Sequence, residues 1–264
     1  MDLKLKGKTA FISGSTAGIG FATAKLLLQE EATVVINGRT RPRVDQALDE
    51  LKQHVPGAKV TGVAADFSKV NEVQTLLDQV PEVDILINNV AVFEPKEFVA
   101  ITDQDWQRFF EVNVLSGIRL SRHYFPALLK KNWGRIIFIA SESAINIPAE
   151  MIHYGMTKTA QLAVARGLAE LTKGTQVTVN SVLPGPTSSE GVAGFIDNLA
   201  RQQRKTREEM EEDFFKTARP TSLIQRFSTT EEVANLIVYV CSPLSSATNG
   251  AALRVDGGVV KSII

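Results

Sequence analysis

The chain has 264 residues, 44% of them hydrophobic, and carries 29 basic and 29 acidic side chains. This length suits one large domain, and the balanced charge gives no basic field for nucleic acid or an anionic membrane, so we expect neither partner. No apolar run approaches the roughly 20 residues of a membrane span, no signal peptide is visible, and Cys241 is the single cysteine. We therefore expect a cytoplasmic protein.

A glycine-rich segment follows the first predicted strand. The apolar run 9–12 predicts a strand and the amphipathic run 21–29 predicts a helix, so the glycines form a strand-to-helix turn. Such a turn can approach a pyrophosphate closely, and the amides at a helix N-terminus favour an anion. A loop that uses glycine only to turn is the alternative. The candidate nucleotide-binding residues here are Gly14, Ser15, Thr16, Gly18, Ile19 and Gly20.

The rest of the chain alternates between apolar, β-branched segments and amphipathic ones. Because strands without a polar face must be covered on both sides, this pattern predicts a parallel sheet with helices on both faces. We predict a single α/β domain over residues 1–264, a doubly wound parallel sheet of about seven strands. The predicted strands are 9–12, 33–36, 60–64, 84–87, 135–140, 177–183 and 252–255, and the predicted helices are 21–29, 42–54, 70–77, 103–130, 152–171 and 231–240.

Tyr154 and Lys158 are four residues apart in the predicted helix 152–171, so they share a helix face. A phenol titrates at about pH 10, too high for a base at neutral pH, and a nearby ammonium favours its ionised form. The pair is a candidate acid/base in which we expect Lys158 to depress the pKa of Tyr154. The alternative is a half-buried ring beside a solvated amine.

Eight motifs, in this order along nearly the whole chain, resemble those of the short-chain dehydrogenase/reductase family, whose members have a Rossmann fold. The glycine-rich turn and the Tyr-x-x-x-Lys pair are two of them. The others are Asp66 after the third strand, Asn88-Asn89-Val90-Ala91 after the fourth, Asn113, Ser141, Pro184-Gly185 and Val255-Asp256-Gly257-Gly258. Ala91 departs from the family pattern, which has glycine there.

The resemblance implies a hydride-transfer enzyme that interconverts a carbonyl and an alcohol. Tyr154 would be the general acid/base, and Lys158 would lower its pKa and bind the nicotinamide ribose. Ser141 would hydrogen-bond the substrate oxygen. Asn113 would bend its helix and hold a water that connects Lys158 to solvent.

The end of the second strand bears on the cofactor. Gly38 stands where NAD-preferring relatives carry Asp, and Arg39 follows where NADP-preferring relatives often carry a base that pairs with the 2′-phosphate. The resemblance therefore implies that NADP(H) is preferred, with NAD(H) possible. Further cofactor contacts implied by the family are Asp66, Phe67, Asn89, Ala91, Tyr154, Lys158, Pro184, Gly185 and Thr187.

Residues 186–220 correspond to the segment that covers the substrate in relatives. We expect two short helices there, forming a lid with Phe195, Ile196, Leu199, Phe214 and Phe215 facing inward. The substrate pocket would lie between this lid, residues 92–96 and residues 142–152, where Ile145, Ile147, Pro148 and Met151 are apolar. Glu142, Asn146, Glu150 and His153 would each orient a polar group or face solvent. Nothing in these residues selects one carbonyl or alcohol substrate.

Two alternatives stay open at this stage. One is the same chemistry with NAD(H), and the other is a non-catalytic protein that senses a dinucleotide, although such a sensor has no need for Asn113, Ser141, Tyr154 and Lys158 together. We expect no metal, because no group of residues has metal-ligand spacing. The resemblance also implies a homotetramer or homodimer built through the helices near 103–130 and 152–171, with a further contact at 259–264.

Overall fold

Seven parallel strands form one sheet in the computed structural model, which describes residues 2–203 and 205–263. The order across the sheet is β3-β2-β1-β4-β5-β6-β9, which confirms the predicted α/β fold class. A short parallel pair, β7 and β8, lies apart from it. The strands are β1 (Thr9–Ile12), β2 (Thr33–Gly38), β3 (Val60–Ala64), β4 (Ile85–Asn88), β5 (Gly134–Ile139), β6 (Val177–Pro184), β7 (Thr187–Ser188), β8 (Ser228–Thr229) and β9 (Ala252–Val255).

Helices cover both faces of the sheet. They are α1 (Gly18–Gln29), α2 (Arg41–His54), α3 (Val70–Gln79), α4 (Asp103–Phe110), α5 (Ser116–Lys131), α6 (Ile152–Glu170), α7 (Glu190–Gln203), α8 (Arg207–Thr217) and α9 (Thr230–Cys241). The helix predicted over 103–130 is interrupted by a π-helical turn, Glu111–Leu115. In α7 the side chains at positions 193, 195, 196, 198, 199, 202 and 203 lie outside the description.

The two faces of the sheet bury two separate hydrophobic cores, as the period-two alternation of strand side chains requires. In β1, Ala10 and Ile12 pack with side chains of α1, α2 and α9. Phe11, between them in sequence, packs on the other face with side chains of α3, α5 and α6. Burial of both faces explains why most strand residues are apolar, and polar exceptions such as Asn37, Arg135 and Asn180 are themselves buried.

The strand order reverses between β1 and β4, because the chain runs from β1 outward to β3 and returns to β4 on the other side. In open parallel sheets the crevice at this reversal, beyond the carboxyl ends of the strands, is where ligands bind. The glycine-rich turn follows β1, and Asn89 follows β4, so both lie at this crevice. In the part of the chain that the structure describes, no helix combines the length and apolar character needed to cross a bilayer.

Replacing Thr229 with Ala should destabilise the protein, because Thr229 caps α9 by accepting a hydrogen bond from the Glu232 amide. Loss of such a cap costs about 1 kcal/mol, which lowers the melting temperature of a domain of this size by about 2 °C. Thermal unfolding followed by circular dichroism measures it. Thr230→Ala is the matched control, since the Thr230 hydroxyl bonds only the Glu231 side chain. An equal effect of both substitutions would contradict the capping role.

Candidate active site

Ser141, Tyr154 and Lys158 line one cavity of about 890 Å³ at the carboxyl end of the sheet. Ser141 lies two residues beyond the end of β5, and the other two side chains come from α6. The same cavity is lined by Ile19 of the glycine-rich segment and by Gly185 after β6. Three of the four residues singled out as catalytic, all but Asn113, therefore meet in one space with several of those singled out for the nucleotide.

The Tyr154 hydroxyl lies deep among protein atoms, and this burial raises the pKa of Tyr154 to about 12. A hydrogen bond with the Ser141 side chain opposes the shift without cancelling it. The expectation that Lys158 depresses the tyrosine pKa is therefore wrong for this structure. The physical reason is that desolvation of the phenolate outweighs every favourable interaction around it.

Lys158 is itself buried, and burial lowers the pKa of its amine to about 7. The amine lies 5.7 Å from the centre of the Tyr154 ring and donates hydrogen bonds to the Ile139 carbonyl (2.8 Å) and to Gln161 Oε1 (3.3 Å). At neutral pH such an amine is charged only part of the time. A half-charged lysine that faces a carbonyl has little capacity to stabilise the phenolate.

Asn113 lies in the π-helical turn, where the helix widens. Its side-chain amide is fully engaged, because Oδ1 accepts from the Val92 amide (2.8 Å) and Nδ2 donates to the Val92 carbonyl (3.0 Å) and to Thr157 Oγ1 (3.0 Å). Asn113 thus ties the segment after β4 to α6. Its main-chain carbonyl accepts a hydrogen bond from Gln161 Nε2. The Gln161 amide therefore joins Lys158 to Asn113, a link that the sequence analysis did not anticipate.

The glycine-rich turn is held by side chains that sequence reasoning missed or assigned otherwise. The Asn37 side-chain Oδ1 accepts a hydrogen bond from the Gly14 backbone amide (3.0 Å), and the Asn37 backbone amide donates one to Ser15 Oγ (3.0 Å). Ser15 is fully buried, so its hydroxyl shapes the turn. Asn89 Nδ2 donates to the Gly14 carbonyl (2.7 Å), and a Cβ at Gly20 would lie 2.6 Å from that nitrogen. The signal for Asn37 was present: it is the one polar side chain near the end of an otherwise apolar strand.

The turn meets the requirements of a pyrophosphate site. Gly14 and Gly18 have φ of +62° and +59°, a conformation that favours glycine. The N-cap of α1 is Ala17, which provides no side-chain cap, and the first turn has no acidic residue. By contrast, α4, α8 and α9 each begin with a threonine capping box and two acidic residues. The amides that open α1 therefore remain available to an anion, as do those of α2 and α6, and α1 is the one that follows the glycine-rich turn.

Residues for the adenosine end lie at the carboxyl ends of β2 and β3. Arg39 is exposed and makes no side-chain hydrogen bond or salt bridge with the residues that the structure describes, although its charge helps to lower the pKa of Asp66. A Cβ at Gly38 would lie 2.5 Å from Thr16 Cγ2, so Thr16 leaves no space for an acidic side chain there. Phe67 is buried in the core, which limits it to main-chain contacts with a ligand.

The remaining cofactor candidates lie at the cavity itself. Asn89, Ala91, Pro184, Gly185 and Thr187 all contribute to its wall. Thr187 Oγ1 donates to the Gly185 carbonyl (2.9 Å), which fixes the turn after β6. Among the described residues no group of three or more His, Cys, Asp or Glu side chains could hold a metal ion.

The two helices α7 and α8 close the cavity on one side. Val192, Met210 and Phe214 contribute apolar lining, and Phe215 packs behind them against Phe214 and Phe227. The side chains of Phe195, Ile196 and Leu199, which we expected to face inward, lie outside the described residues. The helices have 14 and 11 residues, longer than the short helices expected.

The four polar side chains expected around the substrate are placed differently from one another. Glu142 and Glu150 line the cavity, whereas Asn146 is exposed. The expectation for His153 is wrong: its ring is fully buried against Trp106 and Phe109, with centroids 5.9 and 4.0 Å away. His153 directly precedes Tyr154 on the helix, so it points to another side and packs α6 against α4.

Replacing Lys158 with Met should change how stability depends on pH. The pKa of Lys158 is about 7 in the folded protein and about 10.4 when unfolded. Between these values the unfolded chain binds a proton that the folded chain lacks, so Lys158 makes the free energy of unfolding rise with pH. Urea unfolding at several pH values measures this. The free energy of unfolding of the wild type should rise relative to that of Lys158→Met by up to about 1.4 kcal/mol per pH unit.

The control for this comparison is Lys173→Met, a change at an exposed lysine. Its difference from the wild type should stay constant over the same pH range. A constant difference between the wild type and Lys158→Met would show that the amine titrates normally and would contradict the depressed pKa.

Comparison with known proteins agrees with this geometry. Residues 8–200 match the family model described as short chain dehydrogenase. A relative from Bacillus subtilis (strain 168), the uncharacterized oxidoreductase YvrD, is 50% identical over 266 residues, with 100% of each chain covered. The tropinone reductase-like 3 protein of Erythroxylum coca is 32% identical, covering 97% of this chain and 94% of its own.

A solved structure gives the same answer at the level of the fold. L-Sorbose reductase from Gluconobacter frateurii, complexed with NADPH and L-sorbose, superposes with a TM-score of 0.94 at 28% identity, and 100% of each chain is covered. The family match spans most of the chain, and the two sequence relatives cover 100% and 97% of it. The chain belongs to the short-chain dehydrogenase/reductase family of oxidoreductases.

Proposed function

We propose that this protein is an NADP(H)-dependent oxidoreductase that interconverts a carbonyl and an alcohol, with Tyr154 as the general acid/base. The observation that carries the proposal is the meeting of Ser141, Tyr154 and Lys158 in one cavity with the segments that follow β1, β4 and β6. A sheet edge that only bound a nucleotide would not need a buried phenol hydrogen-bonded to a serine. The alternative, a non-catalytic protein that senses a dinucleotide, is tested by the first experiment below.

Tyr154 is suited to donate a proton. With a pKa of about 12, the phenol is protonated at neutral pH, and the protonated form is the one that a carbonyl oxygen requires as it is reduced. Ser141 contributes a hydroxyl hydrogen-bonded to the same phenol. A substrate oxygen between the two would accept from both, which fixes its position and stabilises the charge that develops on it.

The residues present fit a nicotinamide dinucleotide. The turn at Gly14 and Gly18 and the uncapped amides of α1 would hold the pyrophosphate, and Lys158 would orient the sugar next to the reacting ring. When bound, the cofactor supplies or accepts the hydride. The protein's own part is to position the substrate and to exclude water, which α7 and α8 would do as a lid over the cavity.

NADP(H) is the proposed cofactor because of the residues at the end of β2. Arg39 is exposed, without a hydrogen bond or salt bridge to any described side chain, and can form a charge-assisted pair with a 2′-phosphate. Thr16 fills the space that an acidic side chain at position 38 would need. Solved relatives with NADPH include L-sorbose reductase and YwfH, a reductase involved in bacilysin biosynthesis. NAD(H) is the second candidate.

Tyr154→Phe should abolish turnover while it leaves cofactor binding intact, because only the proton donor is removed. We expect kcat to fall by about 10²- to 10⁴-fold and the Kd for NADPH, measured by nicotinamide fluorescence, to change less than about twofold. Tyr239→Phe, at a partly exposed tyrosine on α9, is the control and should behave as the wild type. Undiminished turnover by Tyr154→Phe would overturn the catalytic assignment, and absence of turnover by the wild type across a broad ketone panel would favour the sensor.

Arg39→Ala should weaken NADPH selectively. Loss of a charge-assisted contact costs about 1.5 kcal/mol or more, so we expect the Kd for NADPH to rise at least about tenfold and that for NADH to change less than about twofold. Parallel fluorescence titrations measure both. Arg122→Ala, at an exposed arginine of α5, controls for loss of a surface charge. Tighter binding of NADH than NADPH by the wild type would show that Gly38 and Arg39 do not select the phosphate.

A further inference from the structure

A buried carboxylate lies next to the catalytic serine. Glu142 directly follows Ser141, lines the cavity and is only 3% exposed. Its Oε1 accepts hydrogen bonds from Arg219 Nε (2.8 Å) and from Ser143 Oγ (3.2 Å). Its Oε2 is buried and has no hydrogen-bond donor among the residues that the structure describes. One oxygen of this carboxylate is therefore hydrogen-bonded, and the other has no hydrogen-bond donor among the described residues.

The Arg219 guanidinium that holds Glu142 is shared with a second carboxylate. Arg219 follows α8 and is buried, and its Nη1 donates to Glu150 Oε1 (3.1 Å) and to the Ala218 carbonyl (2.8 Å). Both glutamates and the arginine line the cavity. Burial raises the pKa of Glu142, and the charge of Arg219 opposes this shift. When both carboxylates are ionised they share one guanidinium, so this acidic trio of Glu142, Glu150 and Arg219 has one negative charge in excess, and the Glu150 side chain is 47% exposed.

An unsatisfied carboxylate oxygen in such a place requires an explanation. Burying a charged oxygen without a donor costs free energy, and buried polar atoms in folded proteins nearly always have a partner. The pairing with Arg219 uses Oε1 alone, and Arg219 has a second carboxylate in Glu150, so the pairing does not account for Oε2. The torsion that rotates a terminal carboxylate is broad but moves both oxygens, so a ligand that draws Oε2 into the cavity also shifts Oε1, and the Arg219 guanidinium has to move with it.

We propose that Glu142 is a specificity-determining residue that accepts a hydrogen bond from a hydroxyl of the substrate, so that the preferred substrate is a neutral hydroxylated ketone or the corresponding polyol. This inference rests on the proposed function, since it assumes that a carbonyl is bound at Ser141 and Tyr154. It adds the class of substrate, which the motifs of the chain leave open.

The acidic trio disfavours two other classes of ketone, which are keto acids and ketones with only apolar substituents. Glu142 lies near enough to Tyr154 that its negative charge raises the tyrosine pKa, while Arg219 lowers it. A carboxylate carried by a substrate at the same place would meet that excess negative charge, so a keto acid is disfavoured. A ketone with only apolar substituents would leave Oε2 buried and unpaired, so the enzyme would bind that ketone less tightly in the transition state.

Four ketones of nearly equal size separate these possibilities. In butanone, hydroxyacetone and aminoacetone the carbon next to the carbonyl carries a methyl, hydroxyl or ammonium group. In pyruvate a carboxylate is bonded directly to the carbonyl carbon. Erythrulose adds a larger polyhydroxy ketone. We expect the wild type with NADPH to reduce hydroxyacetone with a kcat/KM at least about tenfold above that for butanone, erythrulose better still, and pyruvate least well.

The variant Glu142→Gln tests the residue itself. It keeps an oxygen for Arg219 and replaces the free carboxylate oxygen with an amide nitrogen, which donates and does not accept. We expect the preference for hydroxyacetone over butanone to fall by about tenfold, mainly through the KM for hydroxyacetone. Glu82→Gln, at an exposed glutamate outside the cavity, is the control and should leave the ratio unchanged.

The outcomes distinguish this inference from the proposed function. Equal reduction of butanone and hydroxyacetone by the wild type, or a preference for aminoacetone or pyruvate, would overturn the role of Glu142 and leave the oxidoreductase intact. An unchanged ratio in a folded Glu142→Gln variant would also overturn it. If Glu142→Gln does not fold, the ketone series with the wild type still tests the proposed substrate preference. No reduction of any ketone would overturn the proposed function and this inference together.

Discussion

The hydrogen bond between the Lys158 amine and the Ile139 carbonyl is the interaction on which the arrangement of the site depends. Ile139 is the last residue of β5, so this bond ties α6 to the carboxyl end of the central sheet. Thr159 Oγ1 adds a second tie to the Ala144 carbonyl (2.8 Å). At Gly155, which lies between Tyr154 and Lys158 in sequence, a Cβ would lie 2.8 Å from the Ile147 side chain, so glycine lets this part of the helix pack closely. These contacts hold α6 where the Tyr154 and Ser141 side chains hydrogen-bond.

The same burial that fixes the helix sets the chemistry of its side chains. The neighbours of a phenol can be inferred from the order of residues, since Tyr154 and Lys158 share a helix face in any α-helix. The amount of water removed from them depends on packing by β5, β6 and α8, which are distant in sequence. Desolvation shifts the pKa of Tyr154 upward and that of Lys158 downward, so each group is driven toward its neutral form.

Much of the fold could be predicted because its signals are local. Apolar β-branched runs specified the strands of the sheet, and glycine spacing located the turn before α1. The π-helical turn at 111–115 could not be predicted, because neither proline nor glycine marks it and the contacts of Asn113 within it are with Val92 and Thr157, which are distant in sequence. The pairing of Glu142 with Arg219 spans 77 positions. It is invisible to any local pattern, because a charged residue in a lid segment is usually solvated, and Arg219 has no distinguishing neighbours in sequence.

The link from Lys158 through Gln161 to Asn113 has a consequence for how the site recovers after each turnover. A side-chain amide holds its protons tightly, so it can connect two groups by hydrogen bonds without relaying a proton between them. If Tyr154 gives its proton to a substrate, this chain of amides does not replace it. Tyr154 lines the cavity, so a proton can return from that side.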